Sequence, residues 1–255
     1  MPPYLLCHIA DFAKRGVDLL FPPRCVHCGG ELSPGGGNHF LCGDCSAKLG
    51  PQSWPGCRRC GALEAAEFVA SPADCAVCRP IKLKFDGVIP LGSYDGVLRE
   101  AVLKTKRPLH ENMAVALADL LLGRRNEQLA EFRPDLIVPI PMHWQRRFRR
   151  GANSPDILAA CLGRHLHVPV ARRLLVRTRN TLPQKDLRPR ERFKNVRGAF
   201  RLGNSGRWPL RDSRILLVDD ILTTGATCSE AAGVLKHAGA VAVTAAVIAK
   251  AHAAH

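Results

Sequence analysis

Ile215-Leu216-Leu217-Val218-Asp219-Asp220-Ile221-Leu222-Thr223-Thr224-Gly225-Ala226-Thr227 joins an apolar run, two acids and a turn of small residues. Ile215 to Val218 is unbroken and apolar between Asp212 and a polar turn, the pattern of a central parallel strand covered on both faces. Ser229 to His237 reads as a helix stopped by Gly239. Between strand and helix, Thr223 to Thr227 can turn their backbone N–H groups toward one point at the helix N-terminus, where open donors and the helix dipole favour an anion. Two carboxylates cannot serve that anion, because like charges repel. Asp219 and Asp220 suit sugar hydroxyls or a divalent cation beside it. The stretch therefore reads as a site for a phosphorylated sugar.

The surrounding sequence supplies an alternating α/β frame. Gly87 to Asp95 reads as a short β ribbon, Val97 to Leu103 and Glu111 to Leu122 as two helices, and Leu136 to Ile140 as a second buried strand. Ser154 to His165 gives a helix and Val241 to Ile248 a late strand, an order that builds a parallel sheet. Ligands of such sheets sit beyond the carboxyl ends of the strands, where Asp219 and the turn after Ile140 both lie. That turn continues into Arg146, Arg147, Arg149 and Arg150, a cluster fit for a polyanion such as pyrophosphate. From Arg172 to Arg201, eleven Lys and Arg face two acids, in a segment that reads as a hood over the site or a nucleic-acid surface.

Eight of the eleven cysteines form four Cys-x-x-Cys pairs: Cys25/Cys28, Cys42/Cys45, Cys57/Cys60 and Cys75/Cys78. Two intervening residues let both thiolates of a pair face one ion, and two such knuckles complete a tetrahedral site. The first and third pairs are each followed by Gly, an internal repeat that pairs the knuckles sequentially. One zinc is assigned to Cys25, Cys28, Cys42 and Cys45, the other to Cys57, Cys60, Cys75 and Cys78; a cross-braced pairing is the alternative. Four thiolates leave no open position for chemistry, so both zincs read as structural. His27 and His39 near the knuckles read as spacers, and Cys228 as a small buried residue. Disulfides compete with zinc, but no secretory signal accompanies the cysteines.

Three regions follow: an amphipathic helix over 1–24, the double zinc ribbon over 25–80, and an α/β domain over 85–255. Tyr4, Leu5, Ile9, Phe12, Val17 and Leu20 give the first its apolar face, too short and interrupted to span a membrane. A cytoplasmic protein is expected. The formal charge is +15 and stays strongly positive when four thiolates per zinc are counted. Trp144, Phe148, Phe193 and Phe200 lie among the arginines, as stacking on single-stranded DNA requires; the alternative is that they are core residues, which Phe200 fits better than stacking.

The stretch from Ile215 to Thr227 resembles the phosphoribosyl-pyrophosphate (PRPP) motif of type I phosphoribosyltransferases. By that resemblance Asp219 and Asp220 hold the ribose hydroxyls, and Thr223, Thr224, Gly225, Ala226 and Thr227 cradle the 5′-phosphate. Arg146 and Arg147 neutralise the leaving pyrophosphate, with Mg²⁺ bound alongside PRPP. Purine-salvage members carry an acid where this chain has Thr223, which disfavours a simple hypoxanthine or guanine transferase. Adding the cysteine knuckles, Val138-Pro139-Ile140-Pro141, Gly151-Ala152-Asn153, Pro183-Gln184 and Arg192-Phe193-Lys194-Asn195-Val196-Arg197-Gly198-Ala199-Phe200 in this order, the whole chain resembles the ComF family. Those are double zinc ribbon proteins with a type I phosphoribosyltransferase fold, associated with bacterial DNA uptake and, in some members, with use of DNA as a nutrient. The resemblance implies a transferase of open acceptor. The competing readings are a nucleic-acid-binding factor that keeps the PRPP fold as a sensor, and a ribbon that docks a helicase or nuclease. Members commonly carry Gly-Phe-Asn-Gln where this chain has Gly151-Ala152-Asn153-Ser154, a difference that bears on the acceptor.

Overall fold

A computed structural model describes residues 22–32, 40–63, 75–107, 110–142, 153–182, 187–203 and 208–251. Residues 1–21 of the expected amino-terminal helix, His39, Trp144 to Ala152 with Arg146 and Arg147, and Pro183-Gln184 lie outside these residues; residues 22–24 are not helical, Arg24 bridging to Glu31. The chain order is α1 (Gly43–Leu49), β1 (Gly87–Ser93), α2 (Gly96–Lys104), α3 (Glu111–Phe132), β2 (Leu136–Pro139), α4 (Ser154–Leu166), β3 (Leu175–Arg177), α5 (Pro189–Val196), β4 (Phe200–Leu202), β5 (Arg214–Leu222), α6 (Ala226–His237) and β6 (Ala242–Lys250).

Four strands form a parallel sheet in the order β1-β6-β5-β2, and β3 pairs antiparallel with β4. The alternation of strand side chains divides the interior into two layers. Ile215, Leu217, Val243, Ala245 and Val247 face α6, while Leu216, Val218, Ala246 and Ile248 face α2, α3 and α4. Ile215 to Val218 are fully buried, each side chain contributing roughly 1.5–3 kcal/mol.

Two expectations are corrected. Gly87 to Asp95 is no ribbon: it is β1, a single edge strand parallel to β6. Its Pro90 and flanking glycines resemble turn punctuation, but an edge strand tolerates a residue without an N–H. The helix expected to stop at Leu122 runs on to Phe132. Gly123-Arg124-Arg125-Asn126 looks like a terminator; the helix instead kinks at Arg125 (φ −125°, ψ 17°), resumes, and buries Leu129. Arg133 closes it in the left-handed conformation, with Pro134 next.

The two ribbons pack on opposite faces of the sheet. Cys25, Leu41, Cys45 and Leu49 share a core with α2 and α3, while Cys57, Cys60, Ala62, Cys75 and Cys78 share one with β1, β6 and α6. The linker between them passes the outer edge of β1, and Arg125 fastens it there. This guanidinium is 2% exposed and donates to the carbonyls of Pro90 (2.8 Å) and Leu91 (2.8 Å) on β1 and of Pro51 (3.1 Å) and Gln52 (2.9 Å) on the linker. Val88 N–H donates to the Arg58 carbonyl in the third knuckle, so the ribbon also occupies the edge. Arg125→Leu should leave four carbonyls without their donor and destabilise the fold by on the order of 3 kcal/mol or more, measured by urea unfolding of the zinc-loaded chain; a change under about 1 kcal/mol contradicts the clamp.

Candidate functional site

The strands set the site by ending at different heights. β2 pairs with β5 only as far as Pro139 opposite Val218, and Pro139 and Pro141 withhold the N–H groups a longer ladder would need. β5 itself runs on to Leu222 beside β6, farther than the apolar run indicates. Asp219 and Asp220 therefore sit on a strand open along one side. Adjacent strand residues point to opposite faces. Asp219 turns toward α6, its Oδ2 lying 3.9 Å from Cys228 Sγ, and Asp220 turns toward the end of α2, its Oδ2 lying 3.4 Å from Lys106 Nζ.

The turn after β5 is short, and α6 starts at Ala226, three residues before the start read from sequence. Gly225 caps it at φ +80°, which glycine adopts without strain. Thr223, Thr224 and Gly225 thus form the turn, and Ala226 and Thr227 the first helical turn. Among the described residues nothing accepts from the backbone N–H groups of Thr224 and Gly225, and the buried Thr224 hydroxyl has no partner. Open donors at a helix N-terminus have the chemistry of an anion cradle.

The electrostatics of the acid pair follow from burial. Removal from water raises the Asp219 carboxyl well above the usual carboxylate range, the neighbouring Asp220 charge adds to this, and the Arg177 guanidinium partly offsets it. Burial, reinforced by both acids, likewise pushes up the Cys228 thiol, which is a protonated, packed side chain. Asp219 Oδ1 accepts from Asp220 N–H at 2.9 Å, and Asp220 Oδ1 from Ile221 N–H at 2.8 Å, which fixes both carboxylates against the strand.

Sequence reasoning missed Lys106 and Arg177. Lys106 follows α2 inside a short basic run, with nothing local to mark it as Asp220's partner. Arg177 lies on β3, its guanidinium over the Phe200 ring at 5.4 Å and bonded to Thr181 Oγ1. The Arg-x-x-Asn-Val-Arg-Gly-Ala-Phe segment holds that ribbon in place. Asn195 exchanges two hydrogen bonds with the backbone of Leu182, Gly198 N–H donates to Glu230 Oε1 on α6 at 2.8 Å, and Phe200 is buried. Phe200 is thus core and unavailable for base stacking.

The cysteines pair sequentially. Sγ atoms of Cys25, Cys28, Cys42 and Cys45 form one group and those of Cys57, Cys60, Cys75 and Cys78 another, each within 4.8 Å throughout. A tetrahedron with Zn–S of about 2.3 Å has S···S edges of about 3.8 Å. Cys28–Cys42 at 3.8 Å, Cys60–Cys75 at 3.7 Å and Cys57–Cys78 at 4.0 Å match it. Gly30 N–H donates to Cys28 Sγ, the support expected around a thiolate ligand. Both groups fit structural zinc, and His27 belongs to neither.

Elemental analysis should give two zincs per chain, and stripping them with a chelator under reducing conditions should lower the melting temperature, since metal binding at such sites is folding energy; one zinc or none refutes the paired ribbons. Asp219 gives a prediction of definite sign. The folded chain holds its proton more tightly than the unfolded chain, so stability falls as pH rises from about 4 toward the raised value. Asp219→Asn keeps an acceptor for Asp220 N–H and removes that loss. Its melting temperature should exceed the parent's at pH 8, by about 2–4 °C for each kcal/mol recovered, and the two should converge near pH 4. Parallel melting curves across that range contradict the assignment.

Comparison with known proteins agrees with this arrangement. Residues 16–79 match a double zinc ribbon domain and residues 109–255 a phosphoribosyl transferase domain. Competence protein F of Haemophilus influenzae is 30% identical over 85% of this chain and 92% of its own length. DNA utilization protein YhgH of Escherichia coli is 32% identical over 80% of this chain and 93% of its own. A purine phosphoribosyltransferase from Pyrococcus horikoshii, a solved structure, is 19% identical over 52% of this chain and 73% of that one, with a TM-score of 0.35. Among the described residues no helix is long and apolar enough to cross a membrane. With cysteines grouped as two ribbons, an acid pair and open turn at the carboxyl edge of a parallel sheet, and relatives that match over most of its length, the chain belongs to the ComF family of double zinc ribbon, phosphoribosyltransferase-fold proteins.

Proposed function

We propose that the protein binds PRPP with Mg²⁺ at the carboxyl edge of β5 and transfers its phosphoribosyl group, in the handling of incoming DNA or its nucleotides. The observation that carries this reading is the unpartnered Thr224 hydroxyl and open N–H groups set beside the acid pair. Phosphate on the turn places the ribose against Asp219 and Asp220, whose oxygens accept from its hydroxyls. Mg²⁺, when bound, supplies positive charge to the pyrophosphate. Lys106, 3.4 Å from Asp220, is a cation already at the edge where pyrophosphate leaves. Arg146 and Arg147 are assigned the same task from sequence. As the bond from the anomeric carbon to pyrophosphate breaks, an acceptor nucleophile bonds to that carbon, and the acids stabilise the developing positive ribosyl centre. The names of the relatives, competence and DNA utilization, support placing the reaction in DNA uptake or use.

Titration calorimetry on the zinc-loaded chain tests this. Mg²⁺-dependent PRPP binding is expected, weakened at least about tenfold in Asp220→Ala with zinc content and melting behaviour retained. Binding that ignores both Mg²⁺ and the substitution removes Asp220 from the site. Absence of PRPP binding in the parent favours the other reading, a non-catalytic DNA-uptake factor acting through its basic hood or its ribbons.

A further inference from the structure

Lys250 ends β6 with 6% of its surface exposed. Its ammonium donates to the Thr223 carbonyl at 2.9 Å and to the Ala251 carbonyl. In a planar trans peptide the carbonyl and the following N–H point in opposite directions. Holding the Thr223 carbonyl on the buried lysine therefore aims the Thr224 N–H away from it, as an anion cradle needs. The same ammonium sits behind the turn as a fixed positive charge that water screens little.

The lysine stem is in turn set by the third cysteine knuckle. Gly61 directly follows Cys60, adopts φ +74° and donates its N–H to the Cys57 carbonyl at 2.7 Å. A Cβ at residue 61 would meet Lys250 Cδ at 3.3 Å and Cγ at 3.4 Å, so the knuckle backbone lies directly against the lysine. A second connection reaches the other end of the turn. Leu83 and Phe85, just after the fourth knuckle, pack where a Cβ on Gly225 would lie, the Phe85 ring at 3.1 Å and Leu83 Cδ2 at 3.4 Å. Lys84 N–H between them donates to Ser229 Oγ in α6 at 3.1 Å. Residues flanking the second cysteine cluster thus reach both ends of one short turn, Gly61 through Lys250 at Thr223, and Leu83 with Phe85 at Gly225.

We propose that Lys250 is a positioning residue for the phosphate turn, and that the second four-cysteine cluster, acting through Gly61 and Lys250 and through Leu83 and Phe85, sets the affinity of that turn for a 5′-phosphate. The proposal rests on the PRPP reading above. Among the described residues the first ribbon makes no such contact with the turn: its cysteines pack with α2 and α3 on the opposite face of the sheet. The two ribbons therefore differ in role, one bracing the fold and the other also shaping the site.

The test uses the full, zinc-loaded chain, titrated with Mg²⁺-PRPP and, separately, with Mg²⁺-pyrophosphate. Lys250→Met keeps the apolar stem and removes the ammonium. PRPP affinity should fall at least about tenfold while pyrophosphate affinity stays within about twofold. A general loosening of the fold would weaken both ligands alike, and that result overturns the proposal, as does unchanged PRPP affinity. Phe85→Leu, which withdraws the ring from Gly225, should give a smaller selective loss and serves should Lys250→Met misfold; an unchanged PRPP affinity there counts equally against the proposal. Cys78→Ser should lose one zinc and repeat the selective loss, and a chain with one zinc and parental PRPP affinity breaks the coupling. If the parent binds pyrophosphate and PRPP not at all, the PRPP reading itself falls and this proposal falls with it.

Discussion

The outer edge of β1 is the constraint on which the rest of the structure depends. A parallel sheet covered on both faces still has two open edges, and backbone groups left open there cost stability or recruit another chain. On β1 the edge is closed by the knuckle carbonyl of Arg58 on Val88 N–H and by the Arg125 guanidinium on the carbonyls of Pro90 and Leu91. Closing it this way forces the ribbon linker past the edge and seats one ribbon on each face. The boundary read between residues 80 and 85 therefore marks no gap in the packing, because Leu83 and Phe85 lie in the same core as the second cysteine group.

The same arrangement explains why the acid pair is tolerated. Two adjacent carboxylates on a partly buried strand repel each other, and burial alone already favours the protonated form of Asp219. Lys106 faces one acid and Arg177 the other, from elements far apart in sequence. Arg177 is itself held by Thr181 and the Phe200 ring, and the ribbon that carries it by Glu230 on α6. Both acids thus meet positive charge before any ligand arrives, and less reorganisation is left for binding.

Where the chemistry was local, the sequence was legible. The strand, acid pair, small-residue turn and helix occupy one continuous stretch, and each cysteine group is specified by the spacing of its knuckles together with the Gly that repeats after the first and third; the structure places both accordingly. What could not be read depends on partners remote in sequence. Arg125 looks like one of several charges ending a helix, yet its acceptors lie 34 to 74 residues away. Lys250 looks like the polar end of a strand, and only the register of β6 against β5 brings it to Thr223. β1 was misread because Pro90 and three nearby glycines imitate a turn when no partner strand is in view.

The remote partners also change what the net charge means. A charge of +15 invites a nucleic-acid surface, but many of the cations are occupied by carbonyl oxygens of this chain. Arg59 donates to Leu83, Lys104 to His27, Arg192 to Leu187, Arg214 to Phe132, and Arg125 and Lys250 to the groups described above. Several of these join separate elements, Lys104 tying the first ribbon to α2 and Arg125 the linker to β1, and a hydrogen bond to a charged donor is worth about 1.5–3 kcal/mol; cations so engaged offer less to a phosphate backbone. Part of the positive charge of this chain is thus taken up by its own carbonyls, so the basicity left for a polyanion must be sought residue by residue, beginning at the acid pair, which Lys106 and Arg177 face.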